Sequence, residues 1–117
     1  MTRARAPTQP PADDGAFWRL ATSMLDQPGV TKSTMMGLLC LRYEGDFFAC
    51  CDRNTGDLVV KLNAPCVAAL IAAGRAEPFA PAGRPFREWV AIPLDARRTW
   101  RRYIEEALRL AHGRRVG

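Results

Sequence analysis

Lys61, Arg84, Arg87, Glu88 and Trp89 are the residues of this chain whose types could do chemistry on a small anionic ligand. Glu88 interrupts Phe86, Val90 and Ile92 at strand spacing. A carboxylate on an inward face must be paired or have its pKa raised, and either condition can serve a reaction. Lys61 stands in a comparable place after Leu58, Val59 and Val60. Its ammonium could meet a ligand, or it could snorkel past an apolar floor and discourage sheet-to-sheet association. The five residues make a ligand site only if folding gathers them around a cavity. Otherwise Glu88 pairs with an arginine or faces water, and residues 78–93 brace a sheet. The wider catalytic repertoire is thin. His112 is the single histidine, no serine occupies a nucleophile elbow, and no GxGxxG or GxxxxGK[ST] string occurs. Cys40, Cys50, Cys51 and Cys66 include no CxxC pair, and the neighbours Cys50 and Cys51 would leave a strand on opposite faces. They are expected to be reduced and mostly buried. Asp52 to Gly56 (DRNTG) lacks the length and terminal glutamate of a calcium loop and reads as a hairpin connection. The sequence predicts no metal, no cofactor and no catalytic residue.

A second constellation is basic. The chain carries a formal net charge of +5, and residues 97–115 alone hold seven arginines against Glu105 and Glu106. Arg97, Arg98, Arg101, Arg102 and Arg109 could form a phosphate-facing stripe on a helix whose Trp100 and Ile104 hold the opposite side to the domain. A solvated face with weak local ion pairs is the plainer use of the same residues.

These side chains must be placed by a small domain. At 117 residues the chain fits one core, and 48% apolar composition suits a globular body. Residues 1–12 (MTRARAPTQPPA) are expected to be a flexible arm, 13–113 the domain, and 114–117 a flexible tail. No apolar run approaches the length of a membrane span or a secretory signal, so a cytoplasmic protein without a membrane partner is expected. Asp13 or Asp14 should cap a helix carrying Phe17, Leu20, Ala21, Met24 and Leu25, which Pro28-Gly29 ends. Residues 31–41 read as one strand with a bulge at Gly37, followed by strands at 47–51 and 57–62 joined by short turns. In the last of these Leu58, Val60 and Leu62 face one way, Val59 and Lys61 the other. Asn63 and Pro65 open a short helix that Gly74 closes. A brief strand at 77–79 and a longer one at 86–92 follow, and Asp95 should cap the final helix, with Trp100, Tyr103, Ile104, Ala107, Leu108 and Ala111 at spacings of three and four. The expected fold is α+β, a two-layer sandwich with an antiparallel five-stranded sheet in the order α-β-β-β-α-β-β-α.

Across Phe17 to Leu108, the pieces MMG (35–37), GDFFA (45–49), DLVVKL (57–62), AAG (72–74), PF (78–79) and GRPFREW (83–89) occur in an order that resembles the N-terminal domain of the TfoX/Sxy competence-regulator family. The resemblance implies a two-layer α/β domain with an antiparallel sheet. It places Gly37, Lys61, Gly74, Phe79 and Gly83 at the family's recurrent positions and transfers no catalytic role to any of them. Full-length members add a C-terminal helical domain, so the resemblance is to a small stand-alone member, expected to lack it.

The leading expectation is a small non-enzymatic interaction module with a protein partner, in a regulatory setting. The alternatives are a nucleic-acid-binding domain using the arginine-rich last helix, and an enzyme or anionic-ligand binder using Lys61 and Arg84 to Trp89. A homodimer is also compatible with the composition.

Overall fold

In a computed structural model, residues 14–35, 37–52, 54–80 and 83–116 are described. Helix α1 (Asp14–Met24) leads into strands β1 (Val30–Met35), β2 (Leu38–Tyr43), β3 (Asp46–Cys51) and β4 (Leu58–Lys61). Helix α2 (Ala64–Ala72) then carries the chain to β5 (Glu77–Pro78) and β6 (Trp89–Ile92). A 3-10 segment, Leu94–Thr99, runs into α3 (Trp100–Val116). All pairings are antiparallel, and the strands lie in the order β1-β2-β3-β4-β6-β5.

The sheet therefore has six strands rather than the expected five, and the order becomes α-β-β-β-β-α-β-β-α. The added strand comes from residues 30–43, where the chain reverses instead of bulging. Met35 pairs with Leu38, so the chain reverses at Gly37, whose φ is +79°. Two-residue hairpin turns demand positive φ, which glycine adopts without a Cβ penalty. The apolar Met35-Met36 pair hides this turn in the sequence, because it lacks the polar residues that usually mark one. The true bulge lies one strand later. Leu41 pairs with Ala49 but Arg42 pairs with Phe47, so Phe48 is the extra residue. Phe48 and Ala49 consequently both enter the same core.

The last long strand is shorter than expected. Only Trp89–Ile92 joins the sheet, and Phe86 to Glu88 lie exposed in the approach to it. Asp95 is not the helix cap. It sits inside the 3-10 segment, whose N-cap is Pro93 with no side-chain hydrogen bond. Elsewhere the local signals act as read. Asn63 Oδ1 accepts the Cys66 amide at 2.9 Å, and after α2 the Arg75 and Gly74 amides donate to Leu70 and Ile71 carbonyls at 3.0 Å. Helix α3 continues through Val116, into the segment expected as a tail. The expected N-terminal arm and the Asp13 cap lie outside the described residues.

One large core lies between the sheet and the helices. Leu41, Phe48, Ala49, Cys51, Leu58, Val60, Leu62, Val90 and Ile92 meet Phe17, Ala21 and Met24 of α1, Val67 of α2, and Trp100, Tyr103, Ile104, Ala107, Leu108 and Ala111 of α3. Each of the larger side chains contributes about 1.5–3 kcal/mol by leaving water. Trp100, 1% exposed, satisfies its indole N–H on the carbonyls of Ile92 and Pro93, both at 3.2 Å. A smaller cluster occupies the other face: Cys40, Cys50, Val59, Phe79 and Ala91, edged by Leu38, Phe47 and Trp89. Every one of these residues belongs to a strand or to the chain segment entering β6.

The reversal at Gly37 makes a prediction of sign. A Cβ there would meet no atom within 4 Å, so only backbone strain opposes a side chain. Gly37→Ala should lower stability by about 1 kcal/mol in urea unfolding. Inside a strand the same change would raise stability by roughly 0.5–1 kcal/mol, and that result would contradict the hairpin.

Candidate functional site

On the sheet face away from the helices, the pairing of β4 with β6 sets Lys61 directly opposite Trp89. The same register across β3 and β2 brings Phe47 and Arg42 to this face, as partners in adjacent strands. The Arg42 guanidinium lies 4.4 Å from the centre of the Phe47 ring. Phe79 packs edge-on against Phe86, with ring centres 5.6 Å apart, and tilts against Trp89 at 6.3 Å. The approach to β6 is pinned by its backbone: Phe86 N–H donates to Phe79 O at 2.9 Å, Trp89 N–H to Phe86 O at 3.1 Å, and Leu62 N–H to Glu88 O at 2.8 Å. These bonds hold Phe86 outward, 40% exposed, and it is the one large hydrophobic side chain so exposed among the described residues.

Of the five residues read as a ligand site, folding thus joins Lys61 and Trp89. Arg84, Arg87 and Glu88 are exposed along the loop before β6, and Glu88 contributes its main-chain carbonyl to Leu62. The carboxylate does not share the inward side with Val90 and Ile92. Arg42 and Phe47 were not singled out by sequence, since nothing local shows which face of β2 survives the hairpin and the bulge. In the connection after β3, Asp52 Oδ1 accepts the Asn54 amide at 2.9 Å, whereas Asp57 Oδ1, just beyond it, accepts the distant Leu94 amide at 2.9 Å.

The five arginines read as one stripe fall into separate environments. Arg97, Arg98 and Arg101 line a groove of about 370 Å³ between the start of α3 and α1, together with Arg19, Leu20 and Trp100. Arg102 turns to Tyr103, donating to its hydroxyl at 3.0 Å. Arg109 forms a two-pronged pair with Glu106, with Nε at 2.9 Å from Oε1 and Nη2 on Oε2. Arg101 also stands 3.6 Å from Glu105, both side chains more than half exposed. Arg19 was missed because it lies 78 residues before Arg97, and only the packing of α1 on α3 joins them.

None of the four cysteines forms a disulfide; Cys40, Cys50 and Cys51 are buried and Cys66 is partly exposed. Cys40 and Cys50 are cross-strand partners. The Cys40 thiol beside it and burial push Cys50 far above the ordinary thiol range, which leaves it a poor nucleophile. Among the described residues, no helix is long and apolar enough to cross a membrane, and no group of three or more His, Cys, Asp or Glu could hold a metal ion.

No protein-family model, curated protein or solved structure matches the chain.

The Glu106–Arg109 pair has a pH signature. The Arg109 guanidinium holds the Glu106 carboxyl below its usual range. Its folded pKa lies under the unfolded value, so the contribution is present above about pH 4.3 and fades as pH falls through the folded pKa. Glu106→Gln should melt below the native chain near neutral pH, and the gap should close as pH drops towards about 2. Thermal melts at stepped pH check this, and a gap that stays constant would contradict the pairing.

Proposed function

We propose that the chain is a small non-enzymatic interaction module that docks an acidic protein surface on its helix-free sheet face. The observation that carries the reading is the company of half-buried Phe47 and Trp89 with Arg42 and Lys61 on this face, beside the loop that exposes Arg84, Phe86 and Arg87. Aromatic residues and arginine dominate the energetics of protein interfaces, because they bury large area while presenting oriented donors. Charge complementarity selects carboxylates of the partner at Arg42 and Lys61, while Asp52, Asp57 and Glu77 line a pocket with Leu38, Phe79 and Ala91 on the same face and carry the opposite charge. The same geometry disfavours stacked nucleobases on this face. The Phe47 ring already carries the Arg42 guanidinium, and Trp89 is tilted against Phe79. The order of motifs that resembles the TfoX/Sxy N-terminal domain supports a regulatory setting for such a module.

A photoreactive phenylalanine analogue placed at Phe86 tests the docking face. It should crosslink one acidic protein in stoichiometric yield, and Arg84→Glu with Arg87→Glu should abolish the product. The same probe at Arg114, on α3, should give none. Equal products from both positions, or a product indifferent to charge reversal, would contradict the reading.

A further inference from the structure

We propose that the groove between α1 and the start of α3 binds the phosphate backbone of nucleic acid, independently of the sheet face. Four arginines from three pieces of structure line it: Arg19 of α1, Arg97 and Arg98 of the 3-10 segment, and Arg101 of α3. All four residues are exposed. The ion pairs found among the described residues are Arg101–Glu105 and Arg109–Glu106, so neither takes Arg19, Arg97 or Arg98. Arg97 is steered by its own backbone, with Nη1 donating to Leu94 O at 3.3 Å.

Local stability accounts for only part of this placement: Arg97 donates to Leu94 O and shares a hollow with Asp57 and Asp95. The N-terminal end of a helix carries the positive end of its dipole, where acidic side chains are favoured and cations are not. Helix α3 has no acidic residue in its first turn, and arginines stand there instead. Arg109, nearer the other end, is matched to Glu106, which shows how a merely structural arginine on this helix is satisfied. Like charges gathered against the dipole raise the energy of the free protein, and an anion in the groove lowers it. Trp100 and Leu20 complete the lining of the groove beside these arginines, an arrangement that suits a row of phosphates. The indole is 1% exposed, so the groove offers no stacking surface and reads backbone charge without base identity.

Fluorescence anisotropy with a labelled duplex DNA of mixed sequence, titrated at several salt concentrations, tests this. The logarithm of affinity should fall linearly with the logarithm of salt, with a slope near −0.9 for each phosphate engaged. Arg97→Gln with Arg98→Gln should lower affinity at least about tenfold and flatten the slope by about 2. Arg19→Gln should weaken binding severalfold, whereas Arg75→Gln, which removes the same charge away from the groove, should leave it within about twofold of native. The Arg97/Arg98 variant should also melt no lower than the native chain, which separates lost binding from lost folding. Three results would overturn the proposal: no duplex binding at low salt, equal losses from Arg19→Gln and Arg75→Gln, or displacement of the duplex by polyglutamate at equal charge concentration. The last would assign the groove to an acidic polypeptide. Because the sheet-face residues are untouched in these variants, failure here leaves the crosslinking result at Phe86 unaffected.

Discussion

An antiparallel sheet has two faces, and among the described residues the three helices pack against one of them. Leu58, Val60, Leu62, Val90 and Ile92 gain their burial from α1, α2 and α3, and Trp100 fastens the last of these by sharing its N–H between two carbonyls at the end of β6. The fold depends on that covered face. Trp100 fills the angle where the chain leaves the sheet and turns into α3, so losing it would leave a large cavity and remove the indole donor from the Ile92 carbonyl, while Pro93 O would keep the Ala96 amide. The opposite face is then left to strand residues and to one folded-back segment. Cys40, Cys50 and Val59 are wholly buried there by Phe79 and their aromatic neighbours rather than by a second helical layer.

The two proposed surfaces follow from this one-sidedness. On the helix-free face, apolar area has to be closed with aromatic side chains and the stems of Arg42 and Lys61, and those residue types are suited to meet another protein. On the helical side, packing α1 against α3 gathers cations from distant parts of the chain into one groove. The sheet separates the two surfaces, so one partner on each could be held at once. A module of 117 residues would then act as an adaptor between an acidic protein and a nucleic acid.

Much of the helical layer was legible because helices announce themselves locally. The spacing of Trp100, Ile104, Ala107, Leu108 and Ala111 identifies the buried side of α3, and Asn63, Pro65 and Gly74 mark the ends of α2 without tertiary information. The alternation of Leu58, Val60 and Leu62 against Val59 and Lys61 was equally readable, and both sides are found as expected. The strand count failed where local and global signals disagreed. Met35 and Met36 look like strand residues, yet the chain turns at Gly37, and the polar character of β1 reflects its place at the sheet edge, not the weak start of a longer strand. Periodicity also extended β6 too far. Phe86 and Glu88 keep the alternation of Val90 and Ile92, but the Phe86-to-Trp89 turn breaks the register before the sheet begins. The groove was half legible: its arginines from 97 to 101 form a visible run, whereas Arg19 joins them only through the contact of two helices.

Hydroxyl-radical footprinting of the native chain would test the two-faced arrangement most directly, because it reports each aromatic residue separately. The account predicts rapid oxidation of Phe86, measurable oxidation of Trp89, and strong protection of Trp100 and Phe17 until the protein unfolds. Oxidation of Trp100 as fast as that of Trp89 in the folded protein would mean that the helices do not cover the sheet as described, and both proposed surfaces would fall with that core.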